Sequence, residues 1–442
     1  MDRWEKELKS KVNRTMPTVV DERIQESLNQ LPRKRRPHIF SYVAIAIIAS
    51  ILFIVSASLI SPTVADTIKS VPVIGSIFSM IGDISEQKGS EKELTTLLGE
   101  EIEVGGQTII FTESLYDGST IHIGYLIESE TVDGVFGEEF FYNLQLTIDG
   151  KSLTYGYGMG QRGDFLENGD YAGIFTIDID KDELPGDQFM LGIHSRYENK
   201  DWEIALPIVL QGENQSFLVN QTKGMKDLVM HYDKITFFPT STEIDFRVVM
   251  DEDISDKYMN MDYQVVDNDG RILQPLSGGG DGGNENGQIL WTFKHYFEPL
   301  ENVPKSLTVK PFLYNTEETE LEIVREKWEG KEITLSQGEI GQVKILDVVK
   351  KDDVATITLE TDGTDAYQQA NNVWIEDQDG TGYFNDQAPK LVDGTNNKYQ
   401  ITAKLEGGVI DELYFSTSKL HAPNFLEELE VTIDLTGVEE EK

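Results

Sequence analysis

The sequence predicts a mainly β protein with short cytoplasmic helices, one transmembrane helix and then tandem immunoglobulin-like β-sandwich domains. Residues 39–60, IFSYVAIAIIASILFIVSASLI, hold no charge, Pro or Gly, as a membrane-crossing helix requires. Beyond them apolar residues alternate at the period of half-buried strands, at Ile121, Ile123, Tyr125 and Ile127, at Ile244, Phe246 and Val248, and at Ala355, Ile357 and Leu359. Each of these strands is followed by an Asp-Gly turn, and the turn glycines Gly150, Gly270 and Gly380 stand 120 and 110 residues apart. A period of that size with strand and turn signals throughout describes three sandwiches in a row.

The first thirty-eight residues read as two short amphipathic helices. Trp4, Leu8 and Val12 give one an apolar stripe; Pro17 opens the second, in which Val20, Ile24, Leu28 and Leu31 repeat the pattern up to Pro32. Helices this short are marginal alone in water, so their stripes need each other, the inner leaflet or a groove on a cytosolic partner. These seven side chains are therefore the candidate partner-binding residues.

A helix over 39–60 spans roughly the 30 Å hydrocarbon thickness of a bilayer at about 1.5 Å per residue. Arg33, Lys34, Arg35 and Arg36 stand immediately before it, which puts the N-terminus in the cytoplasm and the long C-terminal part outside the cell membrane. The start is too long for a secretory signal, whose apolar region covers about 7 to 15 residues. Residues 61–83 are too apolar for an exposed linker; Pro72, Gly75 and Gly82 predict a short helix, a break and a second short helix. The polar stretch 84–95 reads as a hinge. The sandwiches are then expected over 96–212, 213–330 and 331–442, the last with an acidic tail, and an alternating strand closes each unit, centred on Leu206, Ile323 and Ile433, 53 to 56 residues past the turn glycine.

Charge and cysteine content narrow the function. Residues 1–38 carry ten Lys and Arg against six Asp and Glu, so of the net −40 the part beyond the span holds −44. Such a surface is soluble and repels nucleic acid, so no nucleic-acid partner is expected. With no Cys there is no disulfide, thiolate metal site or cysteine nucleophile. The six His residues, His38, His122, His194, His231, His295 and His421, form no metal-ligand spacing, and neither a Gly-x-Ser-x-Gly elbow nor a phosphate loop occurs. No enzyme activity and no cofactor are expected.

The remaining motifs are weaker. Asp267 and Asp269, and Asp377 and Asp379, have the carboxylate spacing of a calcium loop, but Val265 and Ile375 stand where its first ligand belongs, and Asp-Gly is itself a strong hairpin signal. Ser277–Gly287, SGGGDGGNENG, is similar to one copy of a calcium-binding nonapeptide repeat and reads as a mobile loop. Arg162-Gly163-Asp164 spells an adhesion tripeptide too short to carry weight. Tyr155, Tyr157, Trp202, Trp291, Trp328 and Trp374 are either core aromatics or platforms for a sugar.

Several stretches together resemble a family. Pro17-Thr18-Val19-Val20, Arg23-Ile24 with Leu28 and Leu31, the single span, Ser61-Pro62-Thr63-Val64-Ala65 and Val71-Pro72-Val73-Ile74-Gly75-Ser76-Ile77-Phe78 are similar to single-pass proteins of Gram-positive bacteria encoded beside extracytoplasmic-function sigma factors and regarded as anti-sigma factors. The resemblance implies a cytosolic sigma factor as inner partner and an envelope-sensing outer region with an unassigned extracellular ligand. The other functional reading is a surface-displayed binding or adhesion protein for which the span is only an anchor.

Overall fold

The structure, a computed structural model, describes residues 76–436 apart from 129–140, 142–143, 154–156, 167, 180–183, 198–199, 227, 259, 286, 315–321, 352, 384–387, 395 and 406–409. The amphipathic stripes, the expected span and residues 61–75 lie outside the described residues. Among the described residues no helix is long and apolar enough to cross a membrane. The protein is mainly β.

The first sandwich contains β1 (Thr95–Val104), β2 (Gln107–Tyr116), β3 (Ile121–Ile127), β4 (Gln145–Ile148), β5 (Lys151–Ser152), β6 (Tyr157–Phe165), β7 (Tyr171–Ile179), β8 (Gln188–Tyr197) and β9 (Lys200–Val209). They form a five-stranded sheet, β1-β2-β3-β7-β6, and a four-stranded one, β5-β4-β8-β9. Alternation explains the layering: Ile109, Phe111, Ile123, Tyr125 and Phe175 point from one sheet, and Leu146, Leu191, Ile193, Leu206 and Ile208 from the other, into one core. Phe141 fills its centre, edge-on to Phe175 at 3.9 Å between ring centroids.

The second sandwich repeats the plan with β10 (Gln215–Met225), β11 (Leu228–Phe237), β12 (Thr242–Asp251), β13 (Met261–Asp267), β14 (Pro275–Glu285), β15 (Gln288–Phe297) and β16 (Ser306–Leu313). Its large sheet runs β10-β11-β12-β15-β14. The third holds β17 (Ile323–Lys327), β18 (Ile333–Ser336), β19 (Gln342–Lys351), β20 (Val354–Thr361), β21 (Val373–Glu376), β22 (Gly382–Tyr383), β23 (Lys390–Asp393), β24 (Lys398–Lys404) and β25 (Tyr414–Ser418), in sheets β18-β19-β20-β24-β23 and β17-β25-β21-β22. Two strands remain, β26 (Asn424–Phe425) and β27 (Val431–Asp434). The alternating triplets found in the sequence are β3, β12 and β20, the middle strand of each large sheet, and each Asp-Gly turn follows a strand of the small one, β4, β13 or β21.

The closing strands are where the structure departs from the spacing. Ile323 lies in β17, which pairs with β25 of the third sandwich, Ile323 opposite Ser418 and Lys327 opposite Tyr414. Ile433 lies in β27, which pairs with β16 of the second, opposite Leu307. The residues expected as one domain, 331–442, thus divide between two cores: Leu426, Leu429, Val431, Ile433 and Leu435 pack in the second, with Tyr232, Phe246 and Val309. The side chains give the reason. β27 and the residue after it turn Val431, Ile433 and Leu435 inward at every second position, whereas β17 offers only the half-buried Val324 among Arg325, Glu326 and Lys327, which are exposed. A core slot in the middle sandwich needs the first kind of strand; β17 instead holds an edge, its Arg325 on Glu376 at 2.8 Å and over the Tyr414 ring. The third sandwich is in effect inserted between β16 and the two closing strands of the second, β26 and β27, both of which pair with β16.

Candidate functional site

The stretch before β1 forms two helices, α1 (Ile77–Ile81) and α2 (Ile84–Glu91), broken at Gly82. Residues 84–95, expected as a hinge, are thus mostly helical, and Glu86 and Gly89 of α2 are buried. α1 lays Ile77 and Phe78 on the outer face of β2, β3 and β7, against Ile110, Leu115, Leu126, Ala172 and Ile174. β3 is therefore buried on both faces, not half-buried as its alternation predicts. A bulge in β2 between Phe111 and Glu113 turns Glu113 toward α1. Its carboxylate accepts from Ser76 Oγ at 2.8 Å and Phe78 N at 3.2 Å, closing the first turn of α1. Burial raises the Glu113 pKa, and the Ser76 and backbone hydrogen bonds oppose that.

α2 is fixed by charge. Glu86 Oε1 lies 2.9 Å from His122 Nδ1 on β3 and 2.5 Å from Arg162 Nη2 on β6, and Arg162 Nη1 reaches Asp83 Oδ2 at 2.6 Å. Both His122 nitrogens have hydroxyl neighbours, Thr120 at 2.7 Å on Nε2 and Thr176 at 3.2 Å on Nδ1. Burial alone would push the Glu86 carboxyl up, but the attraction and hydrogen bond of His122 and the Arg162 charge outweigh it and hold the pKa at about 2. Asp83 moves the other way, raised by burial more than Arg162 lowers it. Gly89 is needed for close approach: a Cβ there would sit 2.4 Å from Leu115 Cδ2.

The same helix touches the other sandwiches. Lys92 Nζ donates to Pro239 O at 3.0 Å, and Lys88 and Lys92 face Glu301 of the second sandwich at 3.9 and 4.0 Å. A cleft of about 480 Å³ opens between Ile84 and Lys88 of α2, Asp267, Arg271 and Glu298 of the second sandwich, and Lys390 of the third. The first two sandwiches are tied at Asp117, 1% exposed, whose Oδ1 accepts from Ser119 N and Oγ and whose Oδ2 accepts from Thr240 N at 3.0 Å and Oγ1 at 2.6 Å. Gln264 Nε2 donates to Thr364 O at 2.9 Å, joining second to third, and Lys404 of the third pairs with Asp164 of the first. α1 and α2 therefore occupy a junction onto which all three sandwiches converge.

Trp4, Leu8, Val12, Val20, Ile24, Leu28 and Leu31 lie outside the described residues. The aspartates with calcium-like spacing act as turn formers: Asp267 Oδ1 accepts from the N–H of Asp269 and Arg271, and Asp377 Oδ1 from Asp379 and Thr381, each at 2.8–2.9 Å. Among the described residues no group of three or more His, Asp or Glu is placed to hold a metal ion. Arg162 and Asp164 of the adhesion tripeptide are taken up by the ion pairs above. Trp202 and Trp328 are core residues, and the Tyr157 hydroxyl donates to Leu144 O. Residues 277–285 are not a loop but most of β14, in register with β15.

Two stretches match known family models. Residues 34–129 match a domain of unknown function, DUF4179, and residues 214–340 match a family of unknown function, DUF5643. The DUF4179 match takes in α1, α2, Glu113 and His122 and ends before Arg162; the DUF5643 match includes β17 and ends before β27. No curated protein matches the chain. A crystal structure of a conserved domain protein from Bacillus anthracis is similar at 19% identity and a TM-score of 0.43, over 57% of this chain and 90% of that one.

The Glu86–His122–Arg162 cluster had no signal of its own in the sequence. Its members are far apart in the chain, and in so acidic a protein a carboxylate next to Lys88 reads as solvated. The only hint was that residues 61–83 are too apolar to be a free linker.

Proposed function

We propose that this protein is a single-pass membrane regulator: residues 1–38 hold a cytosolic sigma factor at the inner face of the cell membrane, and three immunoglobulin-like sandwiches outside report on the state of the envelope. The observation that supports this reading is the docking of α1 and α2. An adhesin needs only a slack tether between its span and its binding modules, and a polar, flexible linker provides that. Here the segment after the expected span is instead held by a buried apolar patch, a capped first turn and a buried ion cluster at the meeting point of three sandwiches. A pull or a ligand acting on any of them reaches Ser76 through packed structure, and two arrangements of such a junction can differ in the strain passed to the span.

The sigma-factor half of the proposal is tested with residues 1–38 as bait against the sigma factor encoded beside this protein, by two-hybrid or pull-down. Binding is expected, and Ile24→Asp with Leu28→Asp should reduce it by at least about tenfold, since each places a charge on an apolar docking stripe. No interaction, or binding indifferent to both substitutions, excludes the regulator and leaves the anchor of an adhesin.

A further inference from the structure

We propose that the outer edge of β14 is a strand-addition site for an extended, basic peptide segment of a partner. This goes beyond the proposed function and holds for regulator and adhesin alike. β14 is an outermost strand of its sheet, and Ser277 through Asn284 are all exposed. Among the described residues no strand pairs with its outer side. A long, flat edge presents a row of N–H and C=O groups to any incoming chain, and proteins normally blunt such edges by shortening, charging or covering them.

The topologically equivalent edges of the other two sandwiches are treated in those ways. In the third, β23 is only four residues long. In the first, β6 is engaged from the side, Arg162 by α2 and Asp164 by Lys404 of the third sandwich. β14 has neither protection, and its five glycines, Gly278, Gly279, Gly280, Gly282 and Gly283, leave the backbone open to approach.

Next to the edge lies an aromatic row. Gly278, Gly280 and Gly282 stand opposite His295, Phe293 and Trp291 of β15, and a Cβ on any of the three would come within 2.7, 2.4 and 2.9 Å of side-chain atoms of its partner ring. The glycines thus let the half-buried rings lean against β14, with Trp291 and Phe293 stacked at 5.6 Å and 16°. A strand added beyond β14 would find main-chain partners along its length and, on alternate side chains, an aromatic surface that β14 does not screen. Charge favours a basic occupant: Asp281 lies on the edge, and at its hairpin end Asp251 stands opposite Gln288 and Glu252 N donates to Gly287 O, against Lys294 on β15, in a chain of net −40. The Lys404–Asp164 pair is the same chemistry already used on the equivalent edge.

The test uses the full chain in nanodiscs and a fluorescent short peptide of alternating lysine and valine, alongside the same peptide N-methylated at alternate residues, which keeps charge but cannot complete a strand ladder. Gly279→Lys with Gly283→Lys is the protein variant; a Cβ at either position meets nothing within 4 Å, so the fold should be retained. Binding of the plain peptide is expected, weakened at least about tenfold by N-methylation and by the double substitution. Equal binding of the methylated peptide would reduce the effect to attraction by an acidic surface and overturn the proposal. So would no binding, and so would self-association abolished by the double substitution without peptide binding, which assigns the edge to a second copy.

Discussion

Deleting residues 424–442 is expected to unfold the second sandwich, although its own strands β10 to β16 end at Leu313. The deletion removes Leu426, Leu429, Val431, Ile433 and Leu435 from that core, and the hydrogen bond of Tyr232 Oη to Leu429 O at 2.7 Å. At about 2 kcal/mol for each large buried side chain the loss is on the order of 10 kcal/mol, comparable to the whole stability of a domain. Hydrogen exchange should show β10–β16 losing protection while the first sandwich keeps it. The milder Ile433→Ala should cost roughly 3 kcal/mol in denaturant unfolding of the second sandwich. Full protection of β10–β16 after the deletion would mean that β17 had moved into the vacant place beside β16, against the poor apolar content of its inward positions.

The second large effect is at the junction. Glu86→Ala removes the buried carboxylate that joins His122 to Arg162, leaving Arg162 only Asp83, and should cost roughly 3 kcal/mol in the attachment of α2. Arg162→Ala should cost less, because Arg162 is 34% exposed and water takes over part of its role. Acid should act through the same carboxyl. Its folded pKa of about 2 lies below the ordinary 4.5, so the stabilisation is complete above pH 4.5 and is lost as pH falls from there toward 2. Asp83 and Glu113, both raised, act in the opposite sense, becoming less unfavourable as they take up protons. Protease cleavage within 84–95 should therefore rise below pH 4.5 in the native chain and depend little on pH in Glu86→Gln. Equal acid sensitivity of both proteins would show that Glu86 is not the group responsible.

Much of this architecture could be read from the sequence where the cause is local. β3, β12 and β20 announce themselves because a central strand must alternate, and the Asp-Gly turns because their backbone needs those residues. The exchange of β17 and β27 could not be read that way. Both strands carry the same alternating signal at the same distance from a turn, and what separates them is what their inward positions hold, Val431, Ile433 and Leu435 against Val324 and Glu326, which shows only once the chain has folded back onto β16. β14 was hidden for a related reason. A glycine run has little strand propensity of its own, and it becomes a strand here because His295, Phe293 and Trp291 on the neighbouring strand supply the surface it lacks. α2 looked like a hinge because its buried charges are matched only by His122 and Arg162, which arrive later in the chain.

The route of the chain also sets an order of assembly. Thr308 on β16 and Thr432 on β27 share a hydroxyl contact at 3.0 Å across 124 residues of sequence. During synthesis the strands of the first and third sandwiches can associate as they emerge, while the middle one waits for residues 424–435, made after the whole third sandwich. A nascent chain that has not yet reached these residues therefore displays an unfinished apolar interior, which Leu426, Leu429, Val431, Ile433 and Leu435 close.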